Sequence, residues 1–127
     1  MRICIIASTP FPPEEGIGYY VYNLSRTLMR RGHAVTVVTR GGLATETDSF
    51  EGIRIIRAPF VPVYPFHVHL HGHFVNRILK AHESDFDIVH IHPPLSPAVD
   101  TSLPVVSTVH TSVKEDARHV EVVDAKS

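Results

Sequence analysis

The first 39 residues constrain this chain most, because two short apolar runs flank a single amphipathic helix. Ile3-Cys4-Ile5-Ile6-Ala7 is continuously apolar, which predicts a strand buried on both faces, as in a parallel sheet. Beyond Ser8-Thr9-Pro10 and Pro12-Pro13, the residues Ile17, Tyr20, Val21, Leu24 and Leu28 recur at helical spacing, with Asn23, Arg26, Thr27 and Arg30 opposite them. Arg30 and Arg31 suit the negative end of the helix dipole, and Gly32 supplies the stop. Ala34-Val35-Thr36-Val37-Val38-Thr39 is β-branched and reads as a second buried strand, closed by Gly41-Gly42. A strand, a crossover helix and a second strand make a right-handed parallel unit.

The rest of the chain extends that unit. Residues 43–51 are polar and predict a loop, and Ile53 to Arg57 predicts a third strand. Pro59, Pro62 and Pro65 impose an extended path. A second helix is expected from about Gly72 to Glu83, with Phe74, Val75, Ile78, Leu79 and His82 on one face. Asp87 to Ile91 and Pro104 to Val109 predict the fourth and fifth strands, separated by Pro93, Pro94 and Pro97; Thr111 to Ser127 has mixed helical character. Strands alternating with helices give the expected fold class: α/β, a Rossmann-like three-layer domain with a mainly parallel sheet. In strand order 3-2-1-4-5, the order reverses between the first and fourth strands, and ligands bind outside the carboxyl ends there. The loops that matter are then Thr9 to Gly18, His92 to Pro97 and His110 to Ser112.

Composition narrows the function classes. At 127 residues there is room for one domain. Twelve Lys and Arg against thirteen Asp and Glu leave a net charge of -1, so nucleic acid is not an expected partner. A single cysteine, Cys4, forbids an internal disulfide and suits a reducing compartment, and it reads as an inert core residue. No apolar stretch approaches the ~20 residues that span a bilayer, so a cytoplasmic location is expected.

Several motifs could carry chemistry. Gly16-Ile17-Gly18 opens the first helix, where backbone N–H groups can meet a phosphate, although glycines also simply shape turns. A dinucleotide fingerprint is disfavoured, because Val21 stands where a third glycine is needed and Arg40 where an acid would close the second strand; no P-loop is present. His90 and His92 share a face at the end of the fourth strand, and His110 is the matching residue after the fifth. His92 falls at the crevice, His110 reads equally as a ligand contact or a structural residue, and His90 reads as a satisfied core histidine. His67, His69, His71 and His73 alternate, a pattern that suits zinc, copper or nickel, but no Cys, Asp or Glu completes a ligand set and an incipient helix would scatter the rings. Adventitious nickel binding is the expectation, with no metal and no cofactor assigned. Ser112, His110 and Asp116 can be drawn as a triad, yet no nucleophile elbow supports it. Arg26, Arg30 and Arg31 form a basic helix face, ordinarily solvated, that also suits weak contact with an anionic membrane surface.

Taken in order, Met1-Arg2-Ile3, Pro12-Pro13, Gly16 before a helix, Arg31-Gly32-His33-Ala34-Val35-Thr36-Val37, Phe86-Asp87-Ile88-Val89-His90-Ile91-His92 and Val106-Ser107-Thr108-Val109-His110-Thr111-Ser112 strongly resemble the N-terminal domain of glycosyltransferase family 4. Members are retaining enzymes of the GT-B fold, and the match is similar in style to the phosphatidylinositol mannosyltransferases. The resemblance implies that residues 1–127 form the acceptor-side half, truncated before a C-terminal domain that holds most of a nucleotide-sugar donor. It implies that the backbone at Gly16 and Ile17 contacts the donor diphosphate and that His110 approaches the transferred sugar. Glu15, His92, Thr111 and Ser112 would line the acceptor or sugar cleft. The acceptor is unknown, the site needs no metal, and the fragment alone is expected to be inactive. A cytoplasmic protein peripheral to the inner face of the membrane fits this picture. The family often has Gly-Gly where this chain has Glu15-Gly16, and Pro93 to Leu103 is short for the usual intervening helix. Two other readings stand beside it: a non-catalytic module pairing with a separate donor domain, and a small His-metal hydrolase using His67 to His73 or the His90, His92 and His110 set.

Overall fold

The computed structural model describes residues 1–8, 13, 16–92, 98–110 and 118–123, with the backbone alone at 109, 110 and 118–123. Its strands are β1 (Arg2–Ala7), β2 (Ala34–Arg40), β3 (Glu46–Phe50), β4 (Ile53–Ala58), β5 (Ile88–His92), β6 (Val105–His110) and β7 (Arg118–Val123); its helices are α1 (Gly16–Arg30) and α2 (His67–His82), followed by a single 3-10 turn, Glu83–Asp85. All seven strands form one sheet in the order β3-β4-β2-β1-β5-β6-β7. The five strands read from the sequence are parallel and lie in the expected order, reversing between β1 and β5.

Two expectations are corrected at the sheet edges. Residues 43–51 are not all loop: Glu46–Phe50 pairs antiparallel with β4 through the two-residue turn Glu51-Gly52, where both residues have positive φ (50° and 85°) as a type I′ hairpin requires. The side chains of β3 remain largely exposed, so this edge strand carries no apolar signature. In the tail, Arg118–Val123 is an antiparallel strand against β6 rather than a helix.

Strand periodicity splits the core into two layers. Ile3, Ile5 and Ala7 join Val35, Val37, Ile53, Ile55 and Val21 of α1 on one face. Cys4, Ile6, Val38, Ile56, Val89 and Ile91 face Val75, Ile78 and Leu79 of α2 on the other. Cys4 is fully buried, and desolvation pushes its thiol up to about 12, so it is an inert core residue. The second helix starts five residues before the expected Gly72, because His71 extends the buried stripe of Val75 and Leu79 back by a turn. Residues 98–104, on the crossover to β6, are not helical. They are strapped to α2 instead: the Asn76 amide donates to the Ala98 carbonyl, and the Glu83 carboxylate accepts from the Thr101 and Ser102 hydroxyls at 2.8 and 2.7 Å.

Candidate functional site

The carboxyl ends of β1 and β5 lie side by side, with Ala7 paired to His92, at the point where strand order reverses. Helix α1 begins at Gly16, and a Cβ built there would meet no described residue within 4 Å beyond its chain neighbours and its own helix backbone. That open first turn leaves backbone N–H groups approachable by an anion. The Ile17 side chain packs into the core beneath α1, so only its backbone could reach a ligand there.

One turn into α1, the Tyr20 ring meets His92 edge-on at 5.5 Å. His92 is 3% exposed, so it forms the buried floor of this end of the sheet rather than an open wall. Its ring lies 4.6 Å from that of His90, as their shared face demands. His90 Nε2 is hydrogen-bonded to Thr108 Oγ1 at 2.6 Å, the arrangement of a satisfied core histidine. His110 is the last residue of β6, its backbone opposite Arg118. Glu15, Thr111, Ser112 and Asp116 lie outside the described residues, as do most of the loops read from the sequence.

The opposite face of the same sheet end carries a constellation that the motifs did not single out. Ser8, exposed just past β1, places Oγ 2.8 Å from His71 Nε2. His71 is 4% exposed, and its Nδ1 lies 3.1 Å from the Pro59 carbonyl oxygen just past β4. Burial, and secondarily the nearby Arg40 charge, lower the His71 pKa, against the raising effect of the Pro59 contact. The Phe60 ring packs edge-on to His71 and carries the Arg40 guanidinium on its face, 4.7 Å from the centroid. The sequence signal was a hydroxyl residue at a strand end and a histidine in phase with Val75; the alternation of histidines obscured it.

That alternation does not assemble a metal site. His67 packs against Phe60 and Tyr64, His71 points inward, and His69 and His73 lie exposed with rings 5.7 Å apart. Among the described residues, no three His, Cys, Asp or Glu side chains converge as a metal would need, and the His67 to His73 run is scattered by its helix; the His110 side chain lies outside the described residues. No described helix is long and apolar enough to cross a membrane. Val63, Tyr64, Phe66 and Val68 are nevertheless exposed apolar residues at the start of α2, with Tyr64 85% accessible. The basic face of α1 is partly self-engaged, since Arg26 donates to the Tyr22 hydroxyl.

Comparison with known proteins agrees with this fold. A sequence profile of Glycosyltransferase Family 4 matches residues 15–123. The alpha-monoglucosyldiacylglycerol synthase of Streptococcus pneumoniae is 26% identical over 129 aligned positions, which cover 94% of this chain and 29% of that protein. The sucrose-phosphate synthase of Thermosynechococcus elongatus superimposes with a TM-score of 0.58 at 18% identity, over 72% of this chain and 27% of the other, and so shares the fold. The chain therefore spans under a third of the length of either relative.

Proposed function

Because this chain belongs to glycosyltransferase family 4, we propose that it is the acceptor-side half of a retaining enzyme that transfers a sugar from a nucleotide-sugar donor, most of the donor being held by a second domain. The observation that carries this reading is the Gly16 turn at the strand-order reversal, where no described side chain fills the space of a Cβ. In the reaction, the acceptor oxygen bonds to the anomeric carbon on the face from which the diphosphate departs, and the acceptor proton passes to the departing phosphate oxygen. Negative charge grows on that phosphate, and the N–H groups of Gly16 and Ile17, at the positive end of α1, would stabilise it. His110 would approach the transferred sugar from the end of β6.

A lipid acceptor at a membrane surface fits best. The name of the Streptococcus pneumoniae relative supports it, as does the exposed Val63, Tyr64, Phe66 and Val68 cluster, whose aromatic members suit a bilayer interface. The 127 residues alone are not expected to turn over.

The test is sugar transfer by the full-length enzyme to diacylglycerol in anionic vesicles. Gly16→Ala should preserve folding, since the added methyl clashes with none of the described residues, yet lower kcat/KM for the nucleotide sugar by about tenfold by crowding the phosphate. His110→Ala should depress kcat. Full activity in both variants would overturn the reading.

A further inference from the structure

Ser8, His71 and the Pro59 carbonyl form a directed chain of hydrogen bonds, and its direction is fixed by its far end. A backbone carbonyl can only accept, so the 3.1 Å contact requires His71 Nδ1 to carry the proton. In the neutral ring, Nε2 is then a lone pair, and at 2.8 Å the Ser8 hydroxyl must donate to it. Burial at 4% exposure and the neighbouring Arg40 both oppose charging the ring, so the neutral form persists at neutral pH.

The consequence lies on the outer side of Ser8. A serine hydroxyl has one proton and two lone pairs, and here the proton is committed inward. What Ser8 presents at the carboxyl end of β1 is acceptor capacity only. A phosphate oxygen, itself an acceptor, finds no partner there unless the proton turns outward, which would strand a buried Nε2 lone pair against Oγ. A hydroxyl group finds a ready acceptor. The two faces of this sheet end are therefore chemically divided: the α1 turn offers N–H donors, and the α2 side offers an oriented oxygen acceptor.

We propose that Ser8 is a specificity-determining residue that accepts a hydrogen bond from a hydroxyl of a bound sugar or polyol, with His71 as the positioning residue that holds its proton away from the ligand. The ligand class rests on the sugar-transfer reading; the polarity of Ser8 does not.

Nitrogen-resolved NMR of the 127-residue chain tests both parts. His71 should show a protonated Nδ1 and a hydrogen-bonded, unprotonated Nε2, and the Nε2 resonance should move in Ser8→Ala. Titration with methyl glucoside should shift the Ser8 and His71 signals, whereas sulfate, an anion that carries no proton at neutral pH, should leave them in place at equal concentration. Ser8→Ala should weaken the glucoside response about tenfold, the equivalent of one hydrogen bond, while Ser8→Thr, which keeps the hydroxyl, stays within about threefold. Because Ser8 is exposed, neither variant should unfold the chain. A protonated Nε2, a sulfate response without a glucoside response, no glucoside response at all, or equal binding by Ser8→Ala would each overturn the proposal. The titration needs no donor, so loss of transferase activity in the full-length enzyme with this result intact would count against the function alone.

Discussion

A Cβ built on Gly41 would stand 2.6 Å from Arg57 Cβ, closer than two such carbons approach. Neither side can yield easily. Gly41 N donates to the Ala58 carbonyl at 2.9 Å, and the last rungs of the β2 and β4 ladder, Thr39 with Arg57 and Arg40 with Ala58, hold both backbones. Gly41→Ala is therefore expected to cost about 1–3 kcal/mol through overpacking, read as a lower urea midpoint at unchanged slope. A midpoint equal to that of the parent would mean that the strand ends splay freely. Gly16 is the opposite case, with no described side chain within 4 Å of the same added methyl. The Gly16-Ile17-Gly18 and Gly41-Gly42 signals were both legible as turns, but only three dimensions separate a glycine that clears room for its own neighbour from one that leaves room for something else. Ser8 and His71 were illegible for a related reason: 63 positions apart, they meet because β1 and α2 are packed together, and no local spacing encodes that meeting.

Elements were legible where both faces of a strand are buried, and obscure at the edges. β1, β2, β4, β5 and β6 are the strands read from the sequence, four of them as apolar runs, because parallel strands in the middle of a sheet must be apolar on both sides. β3 escaped because its side chains face water, and its one strong signal, Glu51-Gly52, is a turn rather than a strand feature. The start of α2 escaped because histidine is both a modest helix former and polar, so His71 hid the periodicity it belongs to. That helix also explains what the histidine run can do. His69 and His73 are one turn apart on the exposed face, with ring centroids at 5.7 Å, whereas His67 and His71 turn toward Phe60. Two imidazoles one helical turn apart can share an immobilised nickel ion. The untagged chain should be retained on a nickel column, and His73→Asn should elute at a clearly lower imidazole concentration. Equal retention of the variant would place the affinity elsewhere among the ten histidines.

At the scale of the whole molecule, charge and burial together set how the fold responds to acid. The net charge is -1 with all ten histidines neutral, so their protonation drives the chain toward strong positive self-repulsion. Added to that general effect are specific linkages whose signs follow from the pKa directions. His71 has a folded pKa below its ordinary 6.5, so the unfolded chain takes up that proton first. Its contribution to stability is whole above about pH 6.5 and declines as the pH falls toward the folded value. Asp87 and Glu83 act later. The Asp87 carboxylate is held below its ordinary range by the Arg2 side-chain and backbone hydrogen bonds, and Glu83 by the hydroxyls of Ser102 and Thr101. Both are solvent-accessible, so their contributions are small, present above their unfolded values of 3.8 and 4.5 and lost only as the pH falls through the folded ones. Urea midpoints measured from pH 7.5 downward should therefore fall in two stages, the first beginning near 6.5 and the second below about 4.5. His71→Gln removes the one buried titrating ring of α2 and should flatten the first stage even if its absolute stability is lower, because the slope reports proton uptake and not packing. Parallel midpoint curves for the variant and its parent would show that the early acid loss comes from the histidines on the surface, and that the ring beneath Ser8 is not the neutral acceptor that the site requires.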